Sequence, residues 1–210
     1  MFHANYPVIG IQECYPVYLT GIGISDPEFH THREEGLISH QILFTMSGKG
    51  KIIVGDKEYT AGKGSIFYIA SGESHTYYPI DGDWTTYWVV FRGDSLDAMM
   101  ARLGFGRYVV KAINDITEVK KLYDQIAAAA REPGDGAGHC SMLVYQYILL
   151  MHKLLIVQQE NRTGTVVDNA IVFMEKNYRD DISLQTLASV CGISTQHFCR
   201  VFHDKIGMRP

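Results

Sequence analysis

The last thirty residues, 181–210, constrain the fold more than any other stretch, because they place two helix starts close together. Ser183 stands where an N-cap belongs, with Ile182 before it and Leu187 after it set as a hydrophobic staple. Leu184, Leu187, Ala188 and Cys191 follow helical spacing, and Gly192 ends that helix because glycine takes a positive φ at little cost. The device then repeats: Ser194 caps, Ile193 and Phe198 staple, and Val201, Phe202 and Ile206 continue a buried stripe. Two capped helices joined by a tight turn predict a helix-turn-helix, whose second helix can lie in a DNA major groove. Thr195, Gln196, Cys199, Arg200 and His203 occupy its open face. Gln196 and Arg200 are one helical turn apart and project side by side, and their side chains suit adenine and guanine edges respectively. A plain helical hairpin with a polar face is the competing reading.

Charge bears on that choice. The 210 residues carry a formal net charge of −4, which gives no global attraction to nucleic acid. From 165 to 210, Lys176, Arg179, Arg200, Lys205 and Arg209 are balanced by Asp168, Glu175, Asp180, Asp181 and Asp204. Weak DNA binding by this stretch alone is therefore expected. With 46% hydrophobic and 20% charged residues the chain reads as globular. Cys14, Cys140, Cys191 and Cys199 are scattered without zinc spacing, Cys191 reads as core, and a reducing cytoplasm is the expected home. No signal peptide is read at the start, and the apolar run 142–157 is interrupted by Gln146, His152 and Lys153, so no membrane span is expected.

Composition divides the chain in three. Residues 1–93 alternate in short runs that read as strands: 17–24, 39–46, 51–54, 57–60, 65–70, 75–79 and 84–92. Gly48-Lys49-Gly50 reads as a tight turn and Gly55-Asp56 as a two-residue hairpin loop. Many short strands with no helix between them predict an antiparallel barrel. Residues 94–162 read as helical, with helices at 95–103, 116–131 (stopped by Pro133-Gly134) and 141 to about 160. In the last of these, Leu143, Tyr147, Leu150, Leu154 and Val157 have the spacing of a coiled-coil seam, which suits either a dimerisation helix or packing on the barrel. Asn161-Arg162-Thr163-Gly164 reads as a linker into the third region, 165–210, which opens with a helix at 166–178. The expected class is α+β: an antiparallel barrel, a helical dimerisation segment, then an all-α, incomplete helix-turn-helix domain.

Histidines and aromatics cluster in the strand region. His30-Thr31-His32 precedes a strand, His75 leads into Thr76-Tyr77-Tyr78, and alternation from Trp84 puts Thr86 and Trp88 with it on one face and Tyr87 and Phe91 on the other. A small barrel that keeps tryptophan and polar groups inside builds a pocket. Aromatic faces flanked by hydroxyl and imidazole groups suit a sugar or a similar polar molecule. His30, His32, His75, Tyr77, Thr86 and Trp88 are the candidate ligand-binding residues. The alternative is a metal held by His30, His32 and His75, as in a metal-dependent sugar or sugar-phosphate isomerase or a dioxygenase. A carboxylate ligand is missing where it would be sought, at Gly36 and Leu37, so no metal, cofactor or catalytic residue is expected.

Together these features resemble the AraC/XylS-type bacterial transcription regulators with a cupin-like sensor domain. At the C-terminal end the resemblance rests on Ile182-Ser183-Leu184 with Leu187-Ala188, Ile193-Ser194, Phe198, Arg200, Phe202, Gly207 and Pro210. At the other end it rests on His30 and His32, Gly48 and Gly50, Gly62 with Gly64-Ser65-Ile66-Phe67, Ser71-Gly72-Glu73 with His75, and Trp84 with Trp88-Val89 and Phe91. The resemblance implies a non-enzymatic, ligand-responsive, homodimeric DNA-binding regulator in the cytoplasm. It implies a recognition helix over 195–205, with Gln196 and Arg200 at base edges beside Thr195 and Cys199. It also implies that Trp88 is the sugar-stacking position of the family's arabinose sensor, with Tyr77 and Thr86 beside it. Such regulators carry a second helix-turn-helix after a long helix that would begin near Pro210, so a fragment or a shortened regulator with weakened DNA binding is expected.

Overall fold

The computed structural model describes residues 2–7, 10–132 and 136–210, with backbone alone over 158–165. The chain forms two compact units, Met1–Leu155 and Ile156–Pro210. The first runs β1 (Phe2–Asn5), a 3-10 turn (Ile11–Cys14), β2 (Tyr18–Ser25), β3 (Thr31–Arg33), β4 (His40–Val54), β5 (Lys57–Ala61), β6 (Ser65–Ile69) and β7 (His75–Arg92). It continues with α1 (Leu96–Arg102), β8 (Tyr108–Ala112), α2 (Thr117–Ala129) and α3 (Gly136–Met151). A π-helical segment (His152–Val157) then precedes α4 (Gln158–Lys176), α5 (Leu184–Val190) and α6 (Thr195–Ile206).

All strand pairs are antiparallel, in the order β1-β2-β7-β4-β6-β8, with β3 on β7 and β5 on β4. The long pair β4–β7 is the spine. Its one end (Gln41–Phe44 against Tyr87–Val90) lies between β2 and β6, and its other end (Ile52–Val54 against His75–Tyr77) lies between β3 and β5. The pair therefore bends, and the bend sits at Gly48. That residue has φ +72°, the register shifts on both sides of it, and a Cβ there would stand 1.6 Å from the Asp83 carbonyl oxygen. The glycine expected to turn the chain back instead bulges a continuous strand, the usual way to curve a sheet. Gly55, at φ +58°, does close the β4–β5 hairpin as expected.

Inside the curve pack Leu43, Ile52, Val54, Ala61, Phe67, Ile69, Tyr77, Trp84 and Trp88. On the outside, Phe44 and Tyr87 meet Tyr123 of α2 edge-on, at 5.8 and 4.9 Å. The alternation expected along β7 holds: even-numbered Trp84, Thr86 and Trp88 are buried and inward, while Tyr87 faces the helices.

The helical region departs from expectation at two points. Tyr108–Ala112 returns to the sheet as β8 on β6, so the stretch after β7 is not purely helical. The stop at Pro133-Gly134 lies outside the described residues, whereas Asn161-Arg162-Thr163-Gly164, expected as a linker, falls within α4. By length and composition the helix Gly136–Val157 could cross a bilayer, yet half of it is buried in the fold. Leu143 and Tyr147 of the expected seam are buried, and Leu150, Leu154 and Val157 are half-buried. The apolar face left open is Met142, Tyr145 and Leu149, at 59%, 45% and 42% exposure. A helix turns 100° per residue, so moving one position from the buried stripe reaches a different face.

In the second unit, Val167 and Ala170 of α4, Leu187 and Ala188 of α5, and Phe198, Val201 and Phe202 of α6 form one core. Both caps form as read: the Ser183 hydroxyl accepts from Thr186 N–H at 3.1 Å and the Ser194 hydroxyl from His197 N–H at 3.3 Å. Ile182, Ile193 and Cys191 pack against the core, and Gly192 and Gly207 take positive φ after α5 and α6. Leu184 and Ile206, counted in the buried stripes, are 38% exposed; Leu184 is the first residue of α5 and Ile206 the last of α6.

Candidate functional site

Trp88 sits where β1, β2 and β7 meet, and three features fix its ring. Its indole N–H donates to the Ser25 hydroxyl at 3.2 Å. Its flat face rests on β2 where Gly21 and Gly23 leave no side chain: a Cβ on Gly23 would stand 2.3 Å from the ring. Phe2 and Tyr6 flank it at centroid distances of 6.2 and 5.8 Å, brought there by the β1–β2 pairing. Trp84 lies on Gly50 in the same way, a Cβ there falling 2.2 Å from its ring.

Trp88 and Tyr77 line one cavity of about 380 Å³. Phe2, Tyr6, Thr20, Ser25, Glu28, Thr31, Arg33, Ser39, Gln41 and Arg92 line it with them, beside apolar Phe29, Leu37, Ile38, Leu43 and Val90. The container is thus packed solid over part of its interior and open over the rest. Thr86 reaches the cavity through Glu28: its hydroxyl donates to Glu28 Oε2, while Glu28 Oε1 accepts from the Phe29 N–H at 2.9 Å. Glu28 is buried, and burial pushes its carboxyl above the usual carboxylate range against those hydrogen bonds.

His75 also acts from behind the lining. Its Nδ1 lies 2.7 Å from the Glu73 carbonyl oxygen, which can only accept, so the proton sits on Nδ1. Nε2 is then an acceptor, facing Arg33 Nη1 at 3.1 Å and Gln41 Nε2 at 2.8 Å. Burial holds the imidazole below its ordinary value, in keeping with a neutral ring that takes two donors. Arg33 Nη1 also donates to the Tyr77 hydroxyl at 3.1 Å, and its guanidinium lies 5.8 Å from the Tyr77 ring centre.

His30 and His32 are placed differently from the expectation. Both are exposed: His32 Nδ1 lies 2.8 Å from the Thr76 hydroxyl, and the His30 ring lies 5.2 Å from that of Tyr78. The register sets Thr31 opposite Tyr77, His32 opposite Thr76 and Arg33 opposite His75. Side chains alternate along β3, so Thr31 and Arg33 line the cavity and the two histidines face out. His75 lies on the other face from His32. The alternative metal set of His30, His32 and His75 therefore does not converge, and no group of three His, Cys, Asp or Glu among the described residues could hold an ion.

Sequence reasoning missed Glu28, Arg33, Gln41 and Arg92, and it missed Phe2 and Tyr6. The signal for Arg33 was present in His30-Thr31-His32-Arg33, where strand alternation leaves two possible faces and the wrong one was preferred. Phe2 and Tyr6 reach Trp88 only through long-range pairing, which no local pattern announces.

On the second unit, Gln196 and Arg200 are exposed on α6, with Thr195 and Cys199 half-buried beside them. Arg200 Nη2 donates to His197 Nδ1 at 3.0 Å, one turn back along the helix. Lys205 pairs with Asp168 of α4 at 2.6 Å, tying the far end of α6 to its own unit.

The family model for the AraC-like ligand binding domain matches residues 16–140. The lactose operon transcription activator of Staphylococcus xylosus is 22% identical over 171 residues, 78% of this chain and 61% of that protein. The MmsAB operon regulatory protein of Pseudomonas aeruginosa is 21% identical over 186 residues, 86% of this chain and 60% of that protein. The chain thus spans about 60% of the length of the curated relatives it matches. Among solved structures, an apo ToxT variant from Vibrio cholerae aligns over 100% of this chain and 95% of its own, at 11% identity and a TM-score of 0.39.

Proposed function

This chain belongs to the AraC-like ligand binding domain family, and from that premise we propose that it serves ligand-responsive transcription regulation in the cytoplasm. A small polar molecule, with sugars and glycosides as first candidates, enters the cavity beside Trp88 and Tyr77. The helical hairpin of the second unit meets DNA through Gln196 and Arg200, with Thr195 and Cys199 at their sides. Filling the cavity shifts the balance between states of the regulator that differ in DNA affinity. The observation that carries this reading is the coexistence, in one chain, of a lined cavity around Trp88 and a twice-capped hairpin with exposed Gln196 and Arg200. Two of the curated relatives carry names that describe operon regulation. A homodimer is part of the reading, supported by the open face of Met142, Tyr145 and Leu149 on α3.

The test is a thermal-shift screen of a carbohydrate panel, since a ligand that binds only the folded chain raises its melting temperature by mass action. The hit is then carried into a reporter assay with Trp88→Ala. The response is expected to vanish while the variant still melts cooperatively. A normal response from that variant would remove the cavity from the reading.

A further inference from the structure

The cavity around Trp88 is electrostatically lopsided. Two arginines line it, Arg33 and Arg92, against a single carboxyl, Glu28. Among the described residues neither guanidinium has a carboxylate within 4.0 Å. Arg33 uses only Nη1, on the neutral acceptors His75 Nε2 and Tyr77 Oη, so the hydrogens on Nε and Nη2 have no partner among the described residues. Arg92, half-buried on β7 beyond Trp88 and Val90, pairs with Tyr18 through its backbone, and its guanidinium makes no ion pair among the described residues. Glu28 lies within Coulomb reach of Arg33, which favours its charged form, but it is a weak counter-ion: each carboxyl oxygen already accepts a hydrogen bond, and burial, the larger effect, favours its neutral form. A half-buried cation without an anion is unfavourable, and the Nε–Nη2 edge of arginine matches a planar oxyanion in two parallel hydrogen bonds.

We infer that the molecule sensed in this cavity is an organic acid, its anionic head held by Arg33 and Arg92 and its ring lying against Trp88, Phe2 and Tyr6. His75, Gln41 and Tyr77 are positioning residues. The hydrogen bond that Arg33 Nη1 donates to His75 Nε2 turns the guanidinium so that its two-donor edge stays free. Glu28, held by Thr86, is left to bond a hydroxyl of the same ligand. This rests on the cavity reading above and narrows it from a polar molecule to a negatively charged one.

Two fluorescent probes of nearly the same aromatic body separate the possibilities: 8-anilinonaphthalene-1-sulfonate, an anion, and N-phenyl-1-naphthylamine, which lacks the acid. Both are titrated into the full chain at fixed ionic strength. The anion is expected to bind about ten- to a hundred-fold more tightly, the increment of charge-assisted hydrogen bonds. Arg33→Gln should remove most of that preference and leave the neutral probe within about twofold, whereas a merely structural role for Arg33 would weaken both probes alike. Arg33→Lys, which keeps the charge but not the fork, should fall between, and its unchanged melting temperature guards against misfolding. Equal binding of the two probes by the native chain, or a preference that survives Arg33→Gln combined with Arg92→Gln, overturns the acid inference and leaves the cavity standing. Trp88→Ala should weaken both probes. If it moves neither, the cavity reading fails, and the acid inference with it.

Discussion

Gly23→Ala adds one methyl group at the floor beneath Trp88, and its consequences can be worked from the geometry. The backbone at Gly23 is ordinary extended strand, so alanine meets no conformational penalty there. The obstacle is space: the new Cβ would stand 2.3 Å from the Trp88 ring and 2.5 Å from the His3 carbonyl oxygen on β1. Carbon atoms rest at roughly 3.5–4.0 Å, so the ring must retreat by about 1.2 Å, and β1 must also lift from β2 to free the His3 carbonyl. Retreat breaks the 3.2 Å bond from Trp88 to Ser25 and drives the ring into the cavity. Overpacking of this kind costs about 1–3 kcal/mol, which for a chain of this size lowers the melting temperature by roughly 2–12 °C. Gly21→Ala is the control. Its Cβ would lie 3.1 Å from the Tyr6 ring and 3.3 Å from Trp88, contacts that small side-chain shifts relieve, so its cost stays below about 1 kcal/mol. Calorimetry gives the melting temperatures, and near-ultraviolet circular dichroism follows the tryptophan environment. Combining Gly23→Ala with Trp88→Leu should cost less than the sum of the two, because the smaller side chain vacates the contested space. A Gly23→Ala protein with native melting and an unchanged aromatic spectrum would refute the account of how Trp88 is seated.

Three further outcomes are expected. Burial holds His40 and His75 below the ordinary imidazole value of 6.5, so the unfolded chain binds protons that the folded chain refuses. Stability is therefore full above about pH 6.5 and declines as pH falls toward the folded-state values; His75→Gln should flatten that decline in melts at pH 7.5 and 5.5, and an unaltered slope would clear His75. Asp97, 3.3 Å from His40 Nε2, works against the shift at His40, as the Glu73 carbonyl and carboxylate do at His75. If the proposed homodimer forms through α3, Tyr145→Asp with Leu149→Asp should lower the sedimentation coefficient to that of a monomer while α3 keeps its buried face; an unchanged coefficient would remove this face from the proposal. In the proposed complex with DNA, Arg200→Ala should relax discrimination at one base position by about 1–3 kcal/mol, read by binding to duplexes that differ at single bases. Equal loss across all variants would make Arg200 a phosphate contact.

Local chemistry was enough for the hairpin. Ser183, Ser194, Gly192 and the apolar positions around Leu187 and Phe198 act over one or two helical turns, and caps and stripes of that reach are written in consecutive residues. The inward face of β7 was equally legible, because a period of two follows from the pleat alone and Trp84, Thr86 and Trp88 obey it. What neighbours cannot state is which of two faces a short strand turns inward, or which distant segment arrives to cover it. In β3 the phase is set by pairing with His75–Tyr77 more than forty residues away, and that pairing sends Arg33 inward and the histidines out. At Gly48 the same residue could reverse the chain or bulge it, and only the approach of Asp83 across the sheet selects the bulge. Likewise α3 has apolar residues on more than one side, and packing against α2 and β2 decides that Leu143 and Tyr147 go in while Met142, Tyr145 and Leu149 stay out. The cavity's charge followed from those choices: it depends on burial and on which charged groups among the described residues come to line it, Arg33 and Arg92 with Glu28, and these are properties of an arrangement in space rather than of any run of residues.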